Sequence, residues 1–200
     1  MRIIGLCGGS GSGKGAVAGI LVGLGVPVID TDAVYHNLTV SDSECLRELV
    51  SYFGEEILSD NGSLHRPTLA RIVFADGAAE KRARLNHIAH KHVLSSVRES
   101  LSTLRERGYA LAAVDAPLLY ESGFDKECDD VIAVIADRDT RINRIMSRDA
   151  ITRDQAIVRI DSQISDTVLC ERADYVIENN ATLIELEASV KSIINDLRSK

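Results

Sequence analysis

Long apolar runs are missing from this 200-residue chain. The longest, residues 18–29, is interrupted by glycines and Pro27 and is too short to span a bilayer. The N-terminus also lacks the charged, apolar and small-residue order of a signal peptide, because a predicted strand begins at residue 2 or 3. We therefore expect no membrane partner and a cytoplasmic location.

Paired cysteines are missing as well. The four cysteines are widely scattered and include no C-x-x-C pair: Cys7, Cys45, Cys128 and Cys170. This spacing is typical of reduced cysteines in a cytoplasmic protein and argues against a disulfide framework or a zinc site.

The chain also lacks an excess of positive charge. The net charge of −7 argues against general nucleic-acid binding, which needs a broad basic face. Cations are concentrated locally instead, since four arginines fall on one side of a predicted helix at about 100° per residue. They are Arg138, Arg141, Arg144 and Arg148. Their spacing favours an anion-facing surface over a solvated charged face, which would mix signs more evenly.

A glycine-rich segment is present directly after the first apolar run. It consists of Gly8, Gly9, Ser10, Gly11, Ser12, Gly13 and Lys14. An amphipathic helical pattern follows, so the layout is that of a P-loop, G-x-x-x-x-G-K-[ST]. In this motif, backbone N–H groups converge on phosphate oxygens and the lysine adds a charge at the transferable phosphate. A flexible linker would not join a strand to an amphipathic helix, so the segment predicts nucleoside triphosphate binding.

The last position of the motif departs from this pattern. Gly15, followed by Ala16, stands where a serine or threonine hydroxyl normally meets Mg²⁺. We expect both residues to lie at the phosphate site, and the sequence leaves open how the metal is held without that hydroxyl.

Strand and helix patterns alternate along the chain, which is typical of a parallel sheet covered by helices on both faces. The predicted strands are 2–7, 26–29, 110–115, 131–136 and 175–177. The predicted helices are 14–24, 43–53, 67–74, 78–107, 138–149, 153–164 and 183–198. We therefore predict an α/β fold with a parallel five-stranded sheet flanked by helices.

We expect residues 1–200 to form one domain, with a core of about 1–42, 108–148 and 173–200. The helix-rich residues 43–107 are too long for a simple crossover between strands, so they predict an inserted substrate-binding subdomain. The charged, helical residues 149–172 predict a mobile lid.

Acidic residues follow two of the predicted strands, at the sheet edge where α/β proteins place their chemistry. Asp30 and Asp32 follow the second strand, and Asp115 ends the third. A carboxylate near the transferred phosphate can accept or position the proton of an acceptor hydroxyl, while one of the first pair could instead cap a helix. Asp115 is placed like a Walker-B acid. Asp32 and Asp115 are thus the expected protein ligands of Mg²⁺, partly through water.

Six segments, in the same order, resemble the dephospho-CoA kinase family. They are GGSGSGK (8–14), VIDTD (28–32), DAPLLYE (115–121), RIMSRD (144–149), RIDSQ (159–163) and ADYVIENN (173–180). Ordered motifs over nearly the whole chain are far more specific than a P-loop, which many unrelated NTPases share. The resemblance implies a P-loop kinase fold and the last step of coenzyme A synthesis. In that step ATP phosphorylates the ribose 3′-hydroxyl of dephospho-CoA.

The resemblance also implies roles for single residues. Asp32 corresponds to the family's catalytic base, and Lys14 with the loop amides holds the ATP phosphates. Arg144 and Arg148 would stabilise charge on the transferring group, and Asn179 would border the adenine. The residues expected to border dephospho-CoA, with the helical insertion, are Leu118, Leu119, Tyr120 and Glu121.

Two departures accompany this resemblance. Gly15 and Ala16 replace the family's usual Ser-Thr, and its His-Pro pair stands here as His90 and Lys91. We expect His90 to contact substrate phosphate or to cap local structure. His87 lies one turn away, but no third ligand has suitable spacing, so these histidines do not predict a metal site.

Two other functions remain open at this point. A nucleotide-binding pseudokinase would account for Gly15, although Lys14, Asp32 and both family arginines are present. A kinase for another small acceptor, such as a nucleoside monophosphate, would differ in the insertion, where the resemblance is weakest. ATP and Mg²⁺ are the expected cofactors of the kinase, and the sequence does not predict its oligomeric state.

Overall fold

The computed structural model describes residues 1–40 and 42–200. These divide into two compact units, one of Met1–Ile29 with Leu104–Lys200 and one of Asp30–Thr103. The strands are β1 (Arg2–Cys7), β2 (Val28–Asp30), β3 (Leu111–Asp115), β4 (Asp130–Ile135) and β5 (Tyr175–Glu178). The helices are α1 (Lys14–Gly23), α2 (Thr31–Val40), α3 (Glu44–Phe53), α4 (Arg66–Val73), α5 (Ala79–Glu106), α6 (Arg138–Asp149), α7 (Arg153–Asp161), α8 (Asp166–Arg172) and α9 (Leu183–Ser199).

Over the described residues, the strands form one five-stranded parallel sheet in the order β2-β3-β1-β4-β5. β1 lies at its centre, where Ile4 is paired with Ala113 of β3 and Leu6 with Ile132 of β4. All four side chains are fully buried, as expected for strands covered on both faces. The predicted α/β class is therefore confirmed.

The main apolar core lies between this sheet and the helices α1 and α9. Val17 and Leu21 from α1 share a buried cluster with Val190 and Ile194 from α9. The spacing of each pair by four residues puts both members on one helix face. Helix α9 starts at a capping box, in which the Thr182 hydroxyl accepts from the Glu185 amide while the Glu185 carboxylate accepts from Thr182. A small separate cluster joins α6 to α7.

The second unit has its own core, built from α3, α4, the short 3₁₀ helix Glu55–Ile57 and the first half of α5. Leu49, Ile57 and Ile88 are fully buried in it. Glu48 of α3 accepts hydrogen bonds from Lys91 (2.9 Å) and His92 (2.7 Å) of α5. These two donors lower the pKa of Glu48 to about 2.

Most predicted elements agree with the structure to within one residue at each end, and β1 and α6 agree at both ends; the differences lie at β2, at α2 and in the region of α7 and α8. Helix α2 was not predicted. Thr39 is the one residue of Thr31–Val40 that is buried, and the apolar side chains of Tyr35 and Leu38 are only partly buried against the core of the second unit. The helix predicted at 153–164 ends earlier in the structure, where it is α7, and a separate helix, α8, follows it.

The second unit begins at Asp30, earlier than the insertion expected at 43–107. The substrate-binding role of that insertion and the lid at 149–172 stay predictions.

No helix of the described ranges 1–40 and 42–200 is long and apolar enough to cross a membrane.

Truncating the α9 core contact should destabilise the fold. We expect Ile194→Ala, at a residue 1% exposed, to lower the free energy of unfolding by about 2–5 kcal/mol through lost burial and cavity formation. Ile184→Ala in the same helix is the matched control, because Ile184 is 79% exposed and should change stability by less than about 0.5 kcal/mol. Urea unfolding followed by circular dichroism measures both, and equal losses would contradict this account of the core.

The Glu48 contacts should stabilise the fold in a pH-dependent way. Because its pKa is lowered in the folded state, their contribution is complete above the unfolded value of 4.5 and is lost as the pH falls toward about 2. Glu48→Gln should therefore destabilise the protein more at pH 6 than at pH 3. Urea midpoints at the two pH values give the comparison, and a difference that does not shrink at pH 3 would contradict it.

Candidate active site

The glycine-rich segment forms a loop from the end of β1 to the start of α1. The Ser12 amide donates to the Gly9 carbonyl (3.1 Å), and the Gly13 carbonyl accepts from the amide of Ala16 (2.9 Å) as the helix begins. Gly11 (φ 79°) and Gly13 (φ 95°) lie in the left-handed region, which glycine adopts without strain. The start of α1 thus follows the loop directly, as in phosphate-binding sites at helix N-termini.

Side-chain and backbone atoms of neighbouring residues approach the loop so closely that packing favours glycine at three of its positions. A Cβ at Gly9 would lie 2.2 Å from the guanidinium of Arg141, and one at Gly11 would lie 2.6 Å from the Arg141 carbonyl. A Cβ at Gly13 would meet the Asn179 amide nitrogen at 1.9 Å. That nitrogen donates to the Ser12 carbonyl (2.8 Å). Asn179, which follows β5 and is 7% exposed, therefore supports the loop directly.

Lys14, the first residue of α1, forms an ion pair with Asp115 at the end of β3. Both side chains are largely buried, at 15% and 10% exposure. The central pairing of β1 with β3 explains this meeting, because the two parallel strands end at the same edge. The structure thus brings together the P-loop lysine and the Walker-B-like acid expected from the sequence.

Helix α6 uses its four arginines in different ways. Arg138 pairs with Asp161 (2.7 Å), and Arg148 pairs with the adjacent Asp149 (2.7 Å). Arg144 donates to the carbonyls of Gly11 (3.2 Å) and Asn179 (3.0 Å).

The remaining arginine, Arg141, does not face solvent. It is 3% exposed and is bound to the Asp166 carboxylate. The prediction that all four arginines form an anion-facing surface is therefore wrong for Arg141, because its guanidinium is enclosed by protein groups.

A small cavity of about 70 Å³ lies beside the loop. Its lining includes Gly8, Gly9, Leu118, Tyr120, Glu121 and Gln163. The guanidinium of Arg172 lies 3.8 Å from the centre of the Tyr120 ring, a cation–π contact that holds the ring in place. Burial raises the pKa of the Cys7 thiol, also in the lining, to about 12, so this cysteine is a protonated wall residue.

Leu118 and Leu119 differ although both were expected to border the substrate. Leu118 is 48% exposed, whereas Leu119 is fully buried. A Cβ at Gly5 of β1 would lie 2.8 Å from Leu119. We therefore assign Leu119 a packing role against the sheet.

Asp30 and Asp32 have separate positions at the start of α2. The Asp30 carboxylate accepts from the amides of Asp32 (2.9 Å) and Ala33 (3.2 Å), which is the geometry of a helix cap. Asp32 lies in the first turn and is exposed. His90 lies in α5, in the same unit.

Comparison with known proteins gives a consistent result. The sequence family described as dephospho-CoA kinase matches residues 2–185. The chain is 39% identical over 199 residues to a dephospho-CoA kinase of Moorella thermoacetica, covering 99% of this chain and 93% of that protein. It is 36% identical over 193 residues to one of Listeria monocytogenes, covering 96% of each. The crystal structure of TT1252 from Thermus thermophilus superimposes with a TM-score of 0.83 at 32% identity, covering 98% of this chain and 97% of that one.

The chain belongs to the dephospho-CoA kinase family. Its α/β sheet with flanking helices is a P-loop kinase fold.

Sequence reasoning missed several residues of this dephospho-CoA kinase site. Arg141, which was predicted to face an anion, contacts both Gln163 and Asp166 next to the loop. Neither contact was predicted, nor was the position of Arg172 over the Tyr120 ring. Gln163 ends the family motif RIDSQ, so the sequence pattern marked the residue. It did not predict that its side chain contacts Ser10 and Arg141. The partners of Arg141 are 22 to 131 residues distant in sequence, and no local pattern indicates them.

A serine at position 15 should be accepted by this site. Nothing lies within 4 Å of a Cβ built at Gly15, an exposed position with helical backbone. We expect Gly15→Ser to preserve or raise turnover and to lower the Mg²⁺ concentration needed for half-maximal rate, because the hydroxyl is a further metal ligand. Initial rates across a Mg²⁺ titration measure this.

The matched control is Gly19→Ser, one turn along α1, which is also exposed and open. Both variants should gain the same few tenths of a kcal/mol of helix propensity. An unchanged rate and Mg²⁺ requirement in Gly15→Ser would show that the missing hydroxyl is already compensated.

Proposed function

We propose that this protein transfers the γ-phosphoryl group of ATP to the ribose 3′-hydroxyl of dephospho-CoA, giving CoA and ADP. One observation carries the proposal. The P-loop, with Lys14 beside Asp115, lies in a chain that is related to dephospho-CoA kinases over almost its full length. A nucleotide site therefore accompanies the family sequence pattern.

In the proposed step, the 3′-hydroxyl oxygen bonds to the γ-phosphorus as the bond from that phosphorus to the β,γ-bridging oxygen breaks. The bonding electrons leave with ADP, and the hydroxyl proton passes to the Asp32 carboxylate. Loop amides and Lys14 would stabilise the phosphate charge, with Lys14 exchanging its contact with Asp115 for a phosphate oxygen. Such fixed donors supply most of the catalysis in phosphoryl transfer.

The assignment of Asp32 as base is supported by the division of roles at the start of α2. The Asp30 carboxylate is engaged in the helix cap, whereas Asp32 is exposed, so its carboxylate could reach a substrate. Its position in the family motif VIDTD supports the same role.

Mg²⁺ fits the site as a partner of ATP. Asp115 offers a carboxylate beside Lys14, and the described residues contain no group of three or more metal-binding side chains. Phosphate oxygens and water would therefore complete the shell around Asp115 and, by our proposal, Asp32, as is common for Mg²⁺. The ion would neutralise phosphate charge.

We also propose the remaining residue roles that the family resemblance implies, each supported by the position of its side chain. The exposed Arg148 would leave Asp149 to contact the transferring group, and Arg144 adjoins the loop carbonyls. Asn179, whose side chain adjoins Gly13 and the Ser12 carbonyl, would border adenine. Leu118, Tyr120 and Glu121 adjoin the loop cavity, which supports their contact with dephospho-CoA. His90 would contact acceptor phosphate.

Removing the two central groups should abolish most turnover. We expect Lys14→Ala and Asp32→Asn each to lower kcat/KM by about 100-fold or more, since they remove a phosphate cation and the proton acceptor. ADP release with ATP, Mg²⁺ and dephospho-CoA measures the rate, and mass spectrometry identifies CoA.

Exposed residues of the same types serve as controls. Lys191→Ala, in α9, and Asp76→Asn should leave the rate unchanged. Wild-type turnover by Asp32→Asn would refute the base assignment. A wild-type protein that binds ATP but forms no CoA would favour a pseudokinase or a kinase for another acceptor.

A further inference from the structure

Ser10 of the P-loop is hydrogen-bonded at three of its atoms by two side chains that are distant in sequence. Its carbonyl accepts from the Arg141 Nε (2.9 Å), and its amide donates to the Gln163 Oε1 (2.9 Å). The Gln163 Nε2 donates to its hydroxyl (3.2 Å). The backbone at this position is therefore fixed on both sides, and the Ser10 amide is engaged with protein.

The two side chains also hold each other. An Arg141 terminal nitrogen donates to the Gln163 Oε1 (3.3 Å), while the other donates to both carboxylate oxygens of Asp166 (2.8 and 3.0 Å). Arg141 belongs to α6, Gln163 to the turn after α7, and Asp166 to the first turn of α8. We call these three residues, together with Ser10, the loop bracket.

The loop bracket has the features of a positioning device. A guanidinium that is 3% exposed is stable only when its donors are paired, and every Arg141 nitrogen has a partner. Gly9 adjoins both Arg141 and Gln163 so closely that a Cβ would lie 2.2 Å from the first and 3.1 Å from the second. The loop backbone and the bracket are thus built to one another's shape.

We propose that Arg141 and Gln163 are positioning residues that hold the P-loop in its nucleotide-binding shape and tie it to the segment from α7 to α8. Backbone donors stabilise phosphate only when they are fixed before the ligand arrives. Loss of the bracket frees Ser10 and the glycines beside it, so ATP must order the loop. This inference rests on the nucleotide-binding part of the proposed function and not on the identity of the acceptor.

Gln163→Leu tests the proposal, because leucine keeps the bulk of the side chain and removes its hydrogen bonds to Ser10. We expect the Kd for ADP, measured by calorimetry without acceptor, to rise about 10-fold or more, with a similar fall in kcat/KM for ATP. An unchanged Kd for ADP overturns the proposal, even if the KM for dephospho-CoA rises, since Gln163 would then serve only the acceptor.

Arg141→Lys is the second variant, because lysine can pair with Asp166 but cannot also bind Ser10 and Gln163. If the two side chains act as one bracket, the double variant should lose less ADP affinity than the sum of the single losses in free energy. Strict additivity overturns the joint role. If Arg141→Lys fails to fold, the Gln163→Leu result alone decides the proposal.

Gln155→Ala is the matched control. Gln155 is a glutamine of the same segment, where its side chain accepts from the Thr152 amide (3.0 Å) in the cap of α7. The change should lower the melting temperature slightly and leave the Kd for ADP unchanged. An equal rise in Kd in this variant would mean that any loosening of the segment weakens binding, and it would overturn a specific bracket.

The two hypotheses can fail separately. CoA formation by the wild-type protein tests the acceptor, and ADP affinity tests the bracket without any acceptor. A wild-type protein that forms no CoA, with a weakened Kd in Gln163→Leu, rejects the proposed function and retains the bracket.

Discussion

The close approach of Arg141 to the glycine-rich loop is the constraint on which the phosphate site depends. Its guanidinium occupies the space that a side chain at residue 9 would need, and its backbone occupies the space needed at residue 11. The guanidinium is neutralised by Asp166. A buried cation cannot be left unpaired, so the loop, α6 and α8 must be arranged together. The glycines therefore serve packing as much as backbone freedom. Asn179 has the same relation to Gly13 from the side of β5.

Charge at the site is organised by local pairing. Lys14 faces Asp115 and Arg148 faces Asp149, in a chain whose net charge is −7. Arg148 and Arg159 lower the pKa of Asp149 to about 2, so this carboxylate is ionised at neutral pH. By our proposal, an anionic substrate would meet cations that are already positioned by acids. Exchange of one anion for another is less costly than burying an isolated charge.

The second unit combines an apolar core with a polar contact between two of its helices. Its apolar core is built from its own helices, and Glu48 links α3 to α5. Lys91, which replaces the proline expected from the family pattern, is one of the two donors to Glu48. This departure thus has a structural use, because an ammonium group can pair with the carboxylate where a proline ring could not.

The local sequence pattern determined the central strand, the P-loop and the helix α6, since each depends on periodicity and on glycine chemistry within a few residues. It also indicated Lys14 and Asp115, because parallel strands bring their carboxyl ends to one edge. It did not indicate α2, whose apolar contact is short and only partly buried, nor which of Asp30 and Asp32 caps that helix. Helical periodicity placed four arginines on one face, but only the tertiary structure decided that Arg141 is buried and bound to Ser10, Gln163 and Asp166. Periodicity specifies the direction of a side chain from its own helix, whereas its burial and its partners depend on segments that are distant in the chain.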